Sequence, residues 1–295
     1  MTPRAAADAE RHGVPFSREP AVLLGRGVRQ RFATLAWGVG LVFLALLQGE
    51  RVSGQQSFSG LIVTRRIEVD SNALVALLGR EAGNPERVFS LPAERLVRWA
   101  DERREGVKVE ETTTRVRRGR VRVDVKSSSG NSFVLADASG NSLYWVHPQH
   151  RSVAVWEKPR GLDRRTPAPL PPLLPLGKNA PVAGLEAEGY KMVRGSESAW
   201  VWVARKPEPL AKLAQSFLQL SRAIKPEAET LDQMALRAAS PLGFPVRVQV
   251  MTPARYLLVE VVRWEEREQP EADFEIPREY QRRTVSELQG EPAGP

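Results

Sequence analysis

Few side chains in this sequence could do chemistry, and their spacing narrows what that chemistry would be. His147 and His150 stand three residues apart around Pro148. A zinc or iron centre needs further ligands, and beyond residue 54 the chain has no third histidine and no cysteine. A serine hydrolase would have to take its base from the same two turn histidines, and no G-x-S-x-G elbow presents a nucleophile. Walker, G-x-G-x-x-G and H-E-x-x-H motifs are absent too. The expectation is a protein with no catalytic residue, no metal and no cofactor.

Two binding constellations are left. Six tryptophans follow residue 54, namely Trp99, Trp145, Trp156, Trp200, Trp202 and Trp264. Large aromatic side chains in strands either pack a core or line an apolar pocket. Trp200 and Trp202, two residues apart, face the same way on a strand. The pocket reading assigns Trp145, Trp156, Trp200, Trp202, Leu213, Phe217 and Trp264 to an apolar cavity. The second constellation is Arg115, Arg117, Arg118, Arg120 and Arg122, with Arg65 and Arg66 upstream. Guanidinium forks bind phosphate or carboxylate bidentately, which makes Arg115, Arg117, Arg120 and Arg122 an anion-binding candidate. The same run also fits the solvated face of a hairpin, with Glu110 and Glu111 as cross-strand partners.

The elements that must position these residues are mostly strands. Leu61–Val69 is short and β-branched, and Asp70-Ser71 caps a helix closed by Gly79. Residues 81–89 read as loop, and Pro92 opens a second helix that Gly106 stops. From 107 to 157 five strands alternate with short turns; Val121, Val123 and Val125 interleave with Arg122 and Asp124 at period two. Residues 158–181 are Pro-rich and read as an extended or polyproline-like crossover. Strands at 187–193 and 199–204 follow. Leu210, Leu213, Ala214, Phe217, Leu220 and Ile224 then fall on one helical face, and a second helix ends before Pro241. A strand pair at 244–251 and 256–264 precedes an acidic segment. This order reads as α+β, not as βαβ alternation.

Phe32–Leu47 is a run of sixteen mostly apolar residues behind Arg26, Arg29 and Arg31, with Val52-Ser53-Gly54 after it. Those are the parts of a secretory signal cut after Gly54. The run is also only slightly short of the roughly 20 residues of a membrane span, so an uncleaved anchor is the alternative. Both readings export the remainder to the periplasm or cell envelope. Residues 1–31 read either as a cytoplasmic lead or as a start codon assigned too early, with Val28 or Val14 the true start. The full chain carries 43 basic and 35 acidic residues. Residues 1–54 hold seven and four of them, leaving 36 against 31, a net +5. That excess is far below what a nucleic-acid binder needs. With no cysteine, disulfides and N-terminal lipidation are excluded.

Four segments carry a family resemblance: VLADASGNSLYWVHPQHRSVAVW, VAGLEAEGYKMV with AWVWVA, GFPVRVQV, and FEIPREY. Their order resembles the LolA/LolB-like lipoprotein-carrier superfamily, some members of which act as envelope-stress regulators. The resemblance implies a strongly curved antiparallel half-barrel packed on helices, spanning 55–280; the polar end, 281–295, reads as a disordered tail. The resemblance also implies a lipid, lipidated protein or other apolar ligand held between sheet and helices. The alternative is a membrane-anchored periplasmic regulatory or scaffolding module that binds a protein partner.

Overall fold

The computed structural model describes residues 58–103, 105–127, 130–136, 142–157, 169–210, 213 and 230–283. Its first strand, β1 (Gly60–Asp70), ends on a side chain that starts a helix: Asp70 accepts a 2.7 Å hydrogen bond from the Ala73 amide and caps α1 (Ser71–Leu78). Gly79 ends α1 at φ +57°, a conformation open to glycine. The loop expected at 81–89 is instead a 3₁₀ turn (Gly79–Gly83) and α2 (Pro85–Phe89). Asn84 accepts from the Glu86 and Arg87 amides, and Pro85 takes the first helical position. That start signal is present in the sequence, but the helix is too short to show a period. α3 (Ala93–Arg103) then returns the chain to the sheet.

The meander is β2 (Val107–Arg117), β3 (Arg120–Ser127), β4 (Gly130–Ala136), β5 (Ser142–His147) and β6 (Ser152–Glu157). Arg118 and Gly119 both adopt positive φ, the two-residue turn whose twist matches the strands it joins. Part of the Pro-rich crossover is a strand: β7 (Leu174–Val182) pairs antiparallel with β8 (Leu185–Arg194). β7 is an edge strand, which is where a sheet tolerates Pro175 and Pro181. β9 (Glu197–Ala204) precedes α4 (Leu231–Ala239), β10 (Phe244–Met251), β11 (Arg255–Glu266) and β12 (Gln281–Arg283).

Among the described residues, twelve strands form one unclosed sheet in the order β12-β6-β5-β4-β3-β2-β1-β11-β10-β9-β8-β7. Every pairing is antiparallel except β12 on β6, so the sheet takes in three residues beyond Tyr280. The sheet is curved enough that β7 meets β11, four places away in the order. It is the α+β architecture expected, an antiparallel sheet packed on helices.

β11 shows how the helices are placed. Tyr256 and Leu258 join α1, α2 and α3 in one apolar cluster, while Leu257 and Val259 join α4 in another. Alternate residues of a strand point to opposite faces, so this strand is covered on both sides. Its run Tyr256–Val261 is accordingly buried throughout instead of alternating. Trp200 and Trp202 lie on the face that carries Gln249 and Leu258, by register. Val201 and Val203, on the other face, pack against α4.

Candidate functional site

Five of the seven residues assigned to the apolar cavity come together. Trp202 and Leu213 are buried in one cluster with Val246, Phe244, Leu185 and Leu210, and Trp145, Trp200 and Trp264 pack against it half-buried. Trp156 stands on β6 with its side chain outside the described residues, and Phe217 lies outside them altogether. Strands from both flanks of the sheet contribute, because its curvature brings β3–β5 and β8–β10 to a common apolar mass.

Three features that carry no signal in the sequence position the aromatic rings. Gly189 lies opposite Trp202 across β8 and β9. A Cβ there would come within 2.9 Å of the Trp202 ring and 3.0 Å of Leu176 Cδ1, so the glycine lets the indole lie across the strand. Gln249, buried on β10, accepts from Trp202 Nε1 at 3.3 Å. Its amide nitrogen donates to the Phe89 carbonyl at 2.8 Å and to the Tyr256 hydroxyl at 3.0 Å. Burial holds the Tyr256 phenol well above its ordinary pKa, so it stays protonated. Finally, Phe89 meets Trp200 edge-on at 5.0 Å between centroids. Charge is compensated beside this wall: Arg247, opposite Trp202 in register, pairs with buried Glu260 at 3.0 Å.

The arginine candidates sit elsewhere and are engaged from within the chain. Arg115 pairs with Asp124 and, at 3.5 Å, with Asp273. Arg117 reaches Glu268 and Glu271 at 3.3 and 3.7 Å and donates to the Gln269 carbonyl. Arg120 meets Glu271 at 3.7 Å. Arg122 pairs with Asp124 and donates to the Asp273 carbonyl, both at 2.8 Å, and its guanidinium stacks 3.9 Å above the Phe133 ring. The acidic segment after β11 therefore lies along the hairpin as a strap. Phe274 anchors it among Phe133, Leu135, Val146 and Val153.

His147 and His150 lie with ring centroids 6.3 Å apart, and His147 packs on Trp145 at 4.4 Å. Burial, with His150 nearby, pulls the His147 pKa down to about 4, so the ring is neutral at physiological pH. Ser152 is opposite it in register, but neither Ser152 Oγ nor His147 Nε2 has a hydrogen-bond partner. Among the described residues no three His, Asp or Glu side chains gather as a metal site. A cavity of about 330 Å³ opens at the start of α4, between Arg194, Glu197, Asp232 and Arg255. Burial raises the Asp232 carboxyl to about 6.

Gly54 and the apolar segment 32–47 lie outside the described residues; among those residues no helix is long and apolar enough to cross a membrane.

No protein-family model matches the sequence, and no curated protein matches it. Among solved structures, the chain is similar to an uncharacterized conserved protein from Thermus thermophilus, at 8% identity and TM-score 0.36, over 88% of this chain and 99% of that one. It is similar to MucB in complex with MucA(peri) at 10% identity and TM-score 0.33, over 77% and 57% of the two chains. For LprF from Mycobacterium bovis the identity is 8% and the TM-score 0.28, over 76% and 90%. At this similarity only the chain's own side chains carry a functional argument.

Proposed function

We propose that this chain is an exported, non-enzymatic binding protein of the bacterial envelope. Its ligand is apolar, a lipid or the acyl chain of a lipidated protein, and it lies against the tryptophan cluster. The observation that carries this reading is the convergence of Trp145, Trp200, Trp202 and Trp264 on one apolar cluster, with three of the four rings only half-buried. Half-covered indoles in a concave sheet gain from an apolar guest. Each buried methylene contributes about 0.8 kcal/mol, so ten of them give roughly 8 kcal/mol before ordering costs are subtracted. The segment order that resembles the LolA/LolB-like superfamily supports the same reading, and the Arg-flanked apolar run at 32–47 supports export. A mature N-terminus at Gln55 would make the protein diffusible, whereas an intact 32–47 segment would anchor the same site at the inner membrane.

The test is uptake of a fluorescent fatty acid by the purified full chain, read by energy transfer from tryptophan. Saturable uptake is expected, weakened at least about tenfold (about 1.4 kcal/mol) in the Trp200→Ala/Trp264→Ala double variant. Both proteins share segment 32–47, so the difference reads the cluster alone. No saturable uptake, together with no acyl ligand in native mass spectra, overturns the proposal.

A further inference from the structure

The rim of the tryptophan cluster carries uncompensated positive charge, and its register shows how. β7 and β8 pair regularly at Pro175–Tyr190 and again at Asn179–Glu188. Between those pairs Leu176, Gly177 and Lys178 on β7 oppose Gly189 alone on β8. Gly177 sits at φ +64° with open space where a Cβ would be, so the backbone turn explains the glycine, not crowding. Bulges of this kind re-aim side chains beside binding sites. Here Leu176 packs on the apolar cluster, and Lys178 Nζ comes to 5.6 Å from the centroid of the Trp200 ring.

A second lysine stands beside the same residue in register. Lys191 is the direct cross-strand partner of Trp200 on β8, and it is exposed. Cross-strand partners project to the same face, with Cβ atoms about 5 Å apart. Next to them on that face are Gly189 and Val193 on β8 and Ser198 and Trp202 on β9, by strand alternation. Glu186, Glu188 and Glu197 alternate to the other face, and β7 contains no acidic residue. Among the described residues neither Lys178 nor Lys191 forms an ion pair with a carboxylate. Arg247, the cation on the far side of the wall, is already matched by Glu260.

Resting on the apolar-site reading above, we propose that Lys178 and Lys191 select an anionic head: the ligand is a single acyl chain ending in a carboxylate. The chain runs from Trp200 towards Trp202 and Leu176, and the head stays at the open edge of the sheet between the two ammonium groups. A carboxylate there completes two charge-assisted contacts, while an ammonium head meets two like charges. The inference uses no proton transfer and no covalent step.

Calorimetric titration of the full chain with laurate, dodecan-1-ol and dodecylammonium, each below its aggregation threshold and at low salt, separates head from tail. Laurate is expected to bind about tenfold tighter than the alcohol, and the alcohol tighter than the amine. Lys178→Met/Lys191→Met keeps the apolar stems, and it should bring laurate to within about twofold of the alcohol. Lys178→Glu/Lys191→Glu should reverse the order in favour of dodecylammonium. Equal affinities in the native chain, or a laurate preference that survives both double variants, overturns the head assignment and leaves the apolar site standing. Failure of all three ligands to bind overturns the apolar site itself.

Discussion

The two flanks of this sheet treat their basic residues in opposite ways. On β2 and β3, Arg115, Arg117, Arg120 and Arg122 are met by Asp124, Glu268, Glu271 and Asp273, and Phe274 seals the apolar ground beside them. On β7 and β8, Lys178 and Lys191 flank a half-buried Trp200, and β7, β8 and β9 place no acid on that face. One flank has a strap supplied by the chain itself; the other leaves aromatic surface and charge for something else. Density of basic residues is therefore a poor guide to a binding surface. What counts is whether the chain supplies its own counter-charge.

The largest expected effect tests whether the strap is structural. Phe274→Ala removes a ring that is 7% exposed and anchors the strap among Phe133, Leu135, Val146 and Val153. It should cost about 3–5 kcal/mol in urea unfolding, as deletions of buried aromatic rings do. Fatty-acid uptake per folded molecule should not change. A variant of normal stability, or one with altered uptake, would break the division between the flanks.

Gln249→Leu probes the other flank. It strands Trp202 Nε1, the Phe89 carbonyl and the Tyr256 hydroxyl in a buried setting. Each orphaned group costs about 1–3 kcal/mol, partly offset by the apolar replacement, so a net loss of about 3 kcal/mol is expected. Because Gln249 fixes the indole of Trp202, uptake should weaken along with stability, unlike in Phe274→Ala. Stability loss with native uptake would mean that Trp202 is ordinary core.

Much of the frame behind this comparison is legible in the sequence, and most of what is missed shares one physical origin. The alternation of Val121, Val123 and Val125 and the Trp200–Trp202 pair give strands and faces directly. Asp70 and Gly79 mark both ends of α1. What escapes is whatever depends on residues far apart in the chain. The Gln249–Phe89 bond spans 160 positions, and the strap's bonds to Arg117 and Arg122 span 152 and 151. The acidic character of residues 265–279 is visible in the sequence, but its target is not. The β7 bulge escapes for another reason: Gly177 reads as one more turn residue inside a Pro-rich run.

Behind the aromatic flank, α4 supplies a pH-dependent term. Asp232 sits in the first turn of α4, where the helix dipole favours a carboxylate, yet burial dominates and raises it to about 6 from an ordinary 3.8. A carboxyl whose folded pKa is raised adds stability that is fully present below about pH 4 and is lost as pH rises through 6. About two pKa units correspond to roughly 2–3 kcal/mol. Asp232→Asn should therefore gain that much relative to the native chain between pH 4 and pH 7, by urea unfolding at each pH. A pH-independent difference between the two proteins would refute the assignment. Uptake at the tryptophan face should stay unchanged, since α4 packs on the opposite side of β9.

The smallest effect bears most directly on the strap's charge. Glu268 and Glu271 are 62% and 64% exposed, and their contacts with Arg117, Arg118 and Arg120 run from 3.3 to 3.7 Å. Exposed pairs of this kind contribute about 0–1 kcal/mol, so Glu268→Gln/Glu271→Gln should move the unfolding midpoint very little. Charge is another matter. Removing two carboxylates releases Arg117 and Arg120 from their only acidic partners among the described residues, while Asp124 still holds Arg115 and Arg122. Affinity for vesicles containing phosphatidylglycerol should then rise at low salt and fall back at high salt, because exposed charges are screened beyond about 10 Å at 0.1 M. If the native chain already binds such vesicles as tightly as the variant, the strap does not mask these arginines, and the contrast between the flanks reduces to their aromatic content.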